Sequence, residues 1–299
     1  MGNRRCTDIN CNTPRHTLSR VNRDWRNEVA RGDRFRFGSN WSRYLLGLTE
    51  KKIAAAQDAM VALLGVPDLR GRSLLDVGCG SGLHSLVARQ LGATVRSFDY
   101  DDEAVAATRR LRVLRRHGDA QWNIEHGSVL DGDYLESLPT FDVVYAWGAL
   151  HHTGAMWEAI NNVLPLVRPG GLLALAIYND AGHRSRAALA MKRRFSRSGR
   201  FGRTVELLRY LVLVESRDVL ADLLHRRNPL ARFSQNRGMA WWINVIDWVG
   251  GYPFEFAKPE EVLEAVRPHG FELIRLRTVR GSGNNEFVFR RHTAAVADH

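Results

Sequence analysis

The chain has 299 residues, with 43 Lys or Arg against 32 Asp or Glu, so its formal net charge is +11 at pH 7. Apolar residues make up 44% of the chain, which is enough for one large core with an insertion. No apolar run is long enough to span a membrane, and the N-terminal residues form no apolar signal segment. We therefore expect a cytoplasmic protein without a membrane partner.

The first part of the chain is predicted to lie outside the sheet. Residues 1 to about 33 form a polar, Arg-rich leader without sustained periodicity, which indicates disorder or a segment draped over the core. From Asn40, apolar residues that include Trp41 recur at helical spacing and predict two helices. Cys6 and Cys11 are too few for a zinc site. The chain has three cysteines, an odd number, which argues against a disulfide framework.

An apolar strand followed by closely spaced glycines is the most informative stretch. The glycines are Gly78, Gly80 and Gly82. Glycine has no Cβ, so such a loop can turn sharply from strand into helix and can let a ligand lie against bare peptide groups. Asp76 precedes the loop and suits a cationic ligand end, because a carboxylate can accept hydrogen bonds from an ammonium group. The next strand ends at Asp99, whose carboxylate is placed to accept hydrogen bonds from ribose hydroxyls.

The spacing of the glycines argues against a dinucleotide. The dinucleotide fingerprint needs its third glycine at position 83, one residue after Gly82. Strand and helix patterns nevertheless alternate up to residue 178. The approximate elements are 73–77, 83–91, 94–98, 101–115, 121–125, 131–138, 142–147, 155–167 and 172–178. Such alternation predicts a parallel sheet with ligands at the carboxyl ends of its strands.

The run from Asp76 to Gly82 resembles the first motif of the class I S-adenosylmethionine-dependent methyltransferases. Further motifs follow in the family's order: Val167 to Gly171 before a strand, and Lys258 to Val262 before a helix that leads into a hairpin. The resemblance covers roughly residues 72–178 and 259–289. It implies an α/β fold with a Rossmann-like, seven-stranded, mostly parallel sheet whose last strand is antiparallel.

The resemblance implies S-adenosyl-L-methionine as the cofactor. The expected contacts are Asp76, Gly78, Cys79, Gly80 and Gly82 for the methionine part, Asp99 for the ribose, Tyr100 beside the adenine, Ser128 and Val129 at the adenine motif, and Trp147 at the methionine end. Ser128 replaces the family's usual carboxylate, so the contact to the adenine amino group stays open between Ser128 and Asp131. The alternative for Trp147 is ordinary core packing. For the two leading helices, the alternatives are that they close over the cofactor or that they pack on the sheet.

The loop after the fourth strand carries His151 and His152, at the edge where substrates of the resembled family bind. An imidazole titrates near neutral pH, so either side chain could remove a proton from the nucleophile that receives the methyl group. The alternative is that a histidine holds the loop by hydrogen bonds. No acidic ligand stands at convincing spacing from the pair, so no metal is predicted.

A narrower resemblance concerns a bacterial branch of small-molecule methyltransferases, related to the O-methyltransferases of ubiquinone biosynthesis. Its segments begin at Phe37, Trp248 and Asn284. Polar groups in such loops carry function more often than packing. The substrate residues predicted in this way are Trp41, Tyr178, Asn179, Tyr252, Glu255, Asn284 and Asn285.

The positive charge is concentrated in an insertion before the hairpin. Residues 181–240 contain 14 Lys or Arg against 4 Asp or Glu, a net charge of +10. The predicted organisation is a leader with cofactor-covering helices (1–70), a cofactor-binding core (71–180), a basic helical lid (181–250), the C-terminal part of the core (251–292) and a tail (293–299). The lid favours a small, anionic methyl acceptor modified at O or N. A nucleic acid, RNA above all, is the alternative substrate, and a non-catalytic cofactor-binding scaffold is the third interpretation.

Overall fold

The computed structural model of the protein describes residues 25–116, 118–212 and 241–293. The predictions for most of the leader, for Cys6 and Cys11, for residues 213–240 of the insertion and for nearly all of the tail lie outside the described residues. None of the described helices is both long enough and apolar enough to cross a membrane.

A seven-stranded sheet forms the centre of the molecule. Its strands are β1 (Ser73–Val77), β2 (Thr94–Asp99), β3 (Trp122–His126), β4 (Phe141–Trp147), β5 (Val167–Tyr178), β6 (Phe271–Arg277) and β7 (Asn284–Arg291). Their order is β3-β2-β1-β4-β5-β7-β6. β7 is antiparallel to both of its neighbours, while the pairs from β3 to β5 are parallel. The predicted fold class is confirmed.

Helices cover both faces of this sheet. They are α1 (25–31), α2 (Phe37–Leu46), α3 (Glu50–Leu64), α4 (Leu83–Gln90), α5 (Asp102–Arg115), α6 (Gly132–Glu136), α7 (Met156–Val163), α8 (His183–Arg197), α9 (Arg200–Tyr210), α10 (Trp241–Gly250) and α11 (Pro259–Val266), with single 3₁₀ turns at Leu150–His152, Leu164–Leu166 and Arg267–His269. Successive residues of β1 face opposite sides, and Leu74 and Leu75 are both fully buried. Leu74 packs among α3, α4 and α5, whereas Leu75 packs among α6, α7 and α11.

The boundary between α7 and β5 differs from the sequence prediction of a helix over 155–167 and a strand over 172–178. α7 ends at Val163, and a turn that contains Pro165 follows. Proline has no backbone N–H and cannot continue a helix. β5 therefore begins early, at Val167, which pairs with the first residue of β4.

A buried ion pair fastens α4 to the start of β3. The side chain of Arg89 is 6% exposed and that of Asp119 is 10% exposed, and their closest N–O distance is 2.9 Å. Arg116 reaches the same carboxylate at 2.9 Å. Burial by itself raises the pKa of Asp119, but hydrogen bonds from the two guanidinium groups outweigh it and lower the pKa to about 2.

We expect Asp119→Asn to lower the free energy of unfolding by about 1 to 3 kcal/mol at neutral pH, because the arginines lose a charged acceptor. The pKa is lowered from 3.8 to about 2, so the stabilisation is complete above about pH 4 and is lost as pH falls towards 2. Urea denaturation at several pH values measures both effects. Asp68→Asn, which breaks the exposed pair with Arg70, is the control. An equal loss in both variants would contradict the argument.

Candidate active site

The glycine loop, residues 78–82, lies against the loop that follows β4, because β1 and β4 are neighbours in the sheet. Gly78 has a φ of 73°, and a Cβ at this position would stand 2.4 Å from the Cβ of Ala149. No larger residue fits here without moving one of the two loops. The carboxyl ends of the central strands thus bring the predicted cofactor loop and the predicted catalytic loop together.

Asp99 joins the end of β2 to the glycine loop. One carboxylate oxygen accepts the N–H of Gly80 at 2.9 Å, and the other accepts the N–H of Asp101 at 2.9 Å. Burial raises the pKa of Asp99, and these two backbone donors oppose the rise. A carboxylate oxygen can accept more than one hydrogen bond, so the pair of oxygens can still receive hydroxyl donors from a ligand.

Asp76 is 3% exposed and belongs to a buried polar chain. It accepts a hydrogen bond from the hydroxyl of Ser85, which also contacts the hydroxyl of Ser97 at 2.7 Å. The indole of Trp122 donates to Ser97 at 2.9 Å. Burial raises the pKa of Asp76 to about 7, and the nearby charge of Asp99 adds to the rise. A buried carboxylate in this state gains from a cationic partner.

The side chain of Cys79 lies between the glycine loop and α5. Thr108 on α5 donates towards the sulfur of Cys79, 3.4 Å away, and its hydroxyl lies 3.1 Å from the carbonyl oxygen of Gly80. Burial raises the pKa of the thiol well above its ordinary value, so the side chain is a neutral packing group.

The sequence left open whether the two leading helices cover the cofactor loop or pack on the sheet. In the structure, one helix does each. α2 lies over the glycine loop: the N–H of Gly38 donates to Asp101 at 2.7 Å, and a Cβ at Gly80 would stand 3.1 Å from the indole nitrogen of Trp41. α3 instead packs on the sheet through buried residues such as Met60. Trp41, predicted as a substrate residue, therefore lies beside the predicted cofactor loop.

Arg34 is the main residue that sequence reasoning missed. Its guanidinium donates to the carbonyl oxygens of His152 and Thr153 at 2.8 and 3.0 Å, pairs with Glu28 at 2.6 Å and lies 5.0 Å from the ring centre of Tyr100. It thus links the loop after β2 to the loop after β4. No local pattern distinguishes Arg34 from the other arginines of the leader.

The adenine motif is arranged by local hydrogen bonds. The hydroxyl of Ser128 accepts the N–H of Leu130 at 3.1 Å. Asp131 accepts the N–H of Tyr134 at 3.1 Å and caps α6. Val129 is buried. Both candidates for the adenine contact thus already accept a backbone N–H, Ser128 within its own loop and Asp131 at the start of α6.

Trp147 ends β4 on the face that packs against α3 and α4. Its indole nitrogen donates to a carboxylate oxygen of Glu286 at 3.1 Å, and the other oxygen of Glu286 pairs with Arg277 at 3.1 Å. The ring of His84 lies 5.4 Å from the Trp147 ring. The indole therefore ties β4 to β7 across β5.

His152 is held in one orientation. Its Nδ1 lies 2.6 Å from the carbonyl oxygen of Pro253, a contact that requires a hydrogen on Nδ1. Its ring lies 4.8 Å from Phe37 and 5.6 Å from Tyr178. Burial lowers the pKa of His152 to about 3, with the positive charges of Lys192 and Arg34 contributing. The ring is neutral at physiological pH, and its Nε2 carries a lone pair.

His151 is fully buried beneath His152, and its ring lies 4.1 Å from that of Tyr178. The backbone N–H of Tyr178 donates to its Nδ1 at 3.3 Å, so the hydrogen of the neutral ring is on Nε2. Within the described part of the chain, Nε2 has no hydrogen-bond partner. Burial lowers the pKa of His151 well below its ordinary value, with His152 and Lys192 adding to the effect.

Aromatic side chains of the insertion and of the segment after it enclose a buried cation next to these histidines. Lys192 on α8 is fully buried, and its Nζ lies 4.3 Å from the ring centre of Trp248 and 4.7 Å from that of Phe254. It donates to the carbonyl oxygen of Trp248, in the last turn of α10. The ring of Tyr178 lies 4.8 Å from Phe254. Ammonium groups are attracted to ring faces in this way.

The other predicted substrate residues lie at the rim of this cluster. Asn179 and Asn285 bond to each other at 3.0 Å and brace the turn between β6 and β7. Asn284 lies near Gly148, and its Oδ1 is a buried acceptor without a hydrogen-bond partner among the described residues. A buried acceptor without a partner requires an explanation, and this one lies next to the predicted catalytic loop.

The segment after α10 is anchored by Glu255 and Tyr252. The carboxylate of Glu255 accepts the N–H groups of Gly154 and Met156 at 2.9 and 3.0 Å, at the start of α7. Its backbone N–H donates to the carbonyl oxygen of His151 at 2.9 Å, and the N–H of Phe35 donates to the carbonyl oxygen of Tyr252 at 2.7 Å. Within residues 25–116, 118–212 and 241–293, no group of three or more His, Cys, Asp or Glu is placed to hold a metal.

Residues 75–173 match the model of a methyltransferase domain. Residues 75–173 therefore form a methyltransferase domain. This methyltransferase domain includes β1 to the middle of β5, with the glycine loop, Asp99 and both histidines.

Curated relatives match the same part of the chain. A tRNA U34 carboxymethyltransferase of Idiomarina loihiensis is 32% identical over 109 residues, which is 36% of this chain and 33% of the relative. A ubiquinone biosynthesis O-methyltransferase of Pseudomonas fluorescens is 33% identical over 113 residues, which is 38% of this chain and 47% of the relative. The matches thus span a third to a half of the relatives, and they are confined to the methyltransferase domain.

A solved structure shares the fold over a longer range. The magnesium protoporphyrin IX methyltransferase from Synechocystis PCC 6803, crystallised with bound SAH, aligns with 85% of this chain and 93% of its own, with a TM-score of 0.50 and 16% sequence identity. At this identity the likeness concerns the fold alone.

We expect the ring of His152 to stay neutral, with hydrogen on Nδ1, from about pH 5 to about pH 8, because burial opposes its charge. ¹⁵N NMR of the imidazoles measures the tautomer, and His152→Gln assigns its signals. Since its pKa is lowered from 6.5 to about 3, stability should fall as pH falls through this interval. His152→Gln removes this titration, so the slope of the free energy of unfolding against pH should decrease by up to about 1.4 kcal/mol per pH unit. A ring that titrates near pH 6.5 would contradict the burial argument.

Proposed function

We propose that the protein is an enzyme that transfers a methyl group from S-adenosyl-L-methionine to an O or N atom of a small, anionic molecule. The contact between the glycine loop and the His151–His152 loop carries this proposal. It places the predicted nucleoside-binding loop next to two histidines that border a buried aromatic cluster. The methyltransferase match and the relative that methylates oxygen in ubiquinone biosynthesis support it.

The residues of the cofactor side fit this ligand. Asp99 would accept the ribose hydroxyls, the bare backbone at Gly78 and Gly80 would accommodate the methionine part, and Asp76 would face its ammonium group. The raised pKa of the buried Asp76 supports a cationic partner. The bound cofactor supplies an activated methyl group, so the chain's own tasks are to orient the nucleophile and to exclude water. Trp41 and α2 cover the glycine loop and would help to exclude water from it.

The acceptor side favours a nucleophile that ionises readily. His152 offers a lone pair at Nε2, but a base with a pKa of about 3 removes protons poorly from a weak acid. The positive charges of Lys192 and Arg34, which help to lower this pKa, would stabilise an acceptor that binds as an anion. His152 then orients the nucleophile by accepting a hydrogen bond or takes up a proton already made acidic by these cations.

An RNA substrate is the second candidate, because a tRNA U34 carboxymethyltransferase is among the relatives. The orientation of α8 argues for the small molecule. Lys192 points into the aromatic cluster, whereas Arg193 is exposed and Arg194 pairs with Glu206 at 2.7 Å. The buried cation is thus separate from the exposed ones, and a buried aromatic cluster suits a compact ligand better than a polynucleotide.

We expect Asp99→Ala to weaken the binding of S-adenosylhomocysteine by about 1.5 to 3 kcal/mol, because the ribose hydroxyls lose charged acceptors. Isothermal titration calorimetry on the folded variant measures the change. Asp58→Ala, which removes an exposed carboxylate on α3, is the control and should bind like the unsubstituted protein. Unchanged affinity in Asp99→Ala would remove Asp99 from the cofactor site.

The acceptor class is tested by methyl incorporation from labelled cofactor into a small-metabolite extract, total RNA and DNA. We expect label in low-mass, anionic material. If His152 takes up the proton, His152→Gln should lower turnover on the order of 100-fold; if His152 only orients the nucleophile, the loss should be smaller, because glutamine keeps a hydrogen-bond acceptor. Cofactor affinity should stay intact in either case. Lys192→Met should abolish most incorporation, whereas Arg193→Gln, its exposed neighbour, should not.

Three outcomes would contradict the proposal. Label in the polynucleotide fractions alone would indicate the RNA or DNA reading, and binding should then fall linearly with the logarithm of salt concentration. Equal turnover in Lys192→Met and Arg193→Gln would show that the buried cation does not recognise the acceptor. Absence of label in every fraction, together with normal cofactor affinity, would favour the scaffold interpretation.

A further inference from the structure

α8 and α9 form a hairpin whose two faces differ. The inner face carries Lys192, Phe195 and Ser196, all buried. Ser196 donates to the carbonyl oxygen of Gly32 at 2.7 Å, and Phe195 packs with Val249 of α10. The inner face is therefore fixed to the body of the molecule, which sets the direction of the outer face.

The outer face carries apolar side chains at helical spacing on α9. Phe201, Val205 and Leu208 lie four and three residues apart, on one side of the helix, and they are 84%, 44% and 57% exposed. Phe201 and Val205 line a groove of about 830 Å³ between α9 and α8. Exposed apolar surface of this kind, grouped on one face, marks an interaction site more often than isolated exposed residues do.

Arginines border this stripe. Arg186, Arg193 and Arg197 of α8 line the same groove. Arg194 is paired with Glu206, which is the one acidic residue between positions 183 and 212. The outer face thus combines exposed apolar groups with a large positive excess.

We propose that the outer face of the α8–α9 hairpin docks on an anionic lipid surface. Helices that lie in the membrane interface place apolar side chains among the acyl chains and basic side chains among the anionic headgroups. The stripe and its arginine border match both requirements. A surface that binds RNA would use the arginines for phosphates and could stack Phe201 on a base, but it would gain nothing from the exposed aliphatic side chains of Val205 and Leu208. Docking through this face leaves the glycine loop untouched, so it is independent of the proposed reaction.

The test is cosedimentation of the full chain with vesicles of phosphatidylcholine and with vesicles of equal parts phosphatidylcholine and phosphatidylglycerol. We expect binding to the anionic vesicles only. Phe201→Ser with Leu208→Ser should reduce it at least about tenfold, as should Arg193→Gln with Arg197→Gln. Val113→Ser with Leu114→Ser, which alters two exposed apolar residues of α5, is the matched control and should bind normally. S-adenosylhomocysteine affinity should be equal in all variants.

Several results would overturn the inference. These are no binding to anionic vesicles, equal binding by the Phe201–Leu208 double variant, RNA binding that depends on the arginines in place of vesicle binding, and a dimer in lipid-free solution that the Phe201–Leu208 substitutions dissociate. Sedimentation velocity and an RNA titration across salt concentrations distinguish the last two. Loss of methyl transfer with vesicle binding intact would leave this inference standing and concern the proposed function alone.

Discussion

The hydrogen bond from the backbone of Gly80 to the carboxylate of Asp99 is the interaction on which the site depends. It joins the carboxyl ends of β1 and β2, and it fixes the glycine loop where α2 can cover it. Because this carboxylate is partly buried, leaving it without donors would carry a desolvation cost. The backbone donors of Gly80 and Asp101 therefore maintain both the loop conformation and the charge that a ribose would meet.

Charge is divided between the two halves of the site. The cofactor side holds Asp76 and Asp99, whose pKa values burial raises, while the acceptor side holds two neutral histidines next to Lys192. In the proposed function, the cofactor side would meet the cationic end of its ligand and the acceptor side an anionic group. Both preferences arise from desolvation, which makes each buried group depend on a partner of opposite charge.

The segment around Arg34 connects these halves. Its guanidinium lies against Tyr100, beside the cofactor side, and donates to the carbonyl of His152 on the acceptor side. The chain before α2 thus holds two loops that come from different strands. Such an arrangement fixes the predicted catalytic loop relative to the segment that leads into α2.

The sequence by itself determined the fold, and it predicted the residues of the cofactor half of the site from local features. Glycine spacing, acidic residues at strand ends and alternating apolar patterns are local features, and each limits the backbone directly, as at Gly78 and Asp99. The acceptor half was decided by tertiary structure. Whether His152 is a base or a tethered neutral ring depends on Pro253, a hundred residues away, and the inward direction of Lys192 depends on Trp248 and Phe254. Arg34 was missed for the same reason, since its partners are distant backbone carbonyls. Burial and hydrogen-bond partners come from residues far apart in the chain, and no local pattern encodes them.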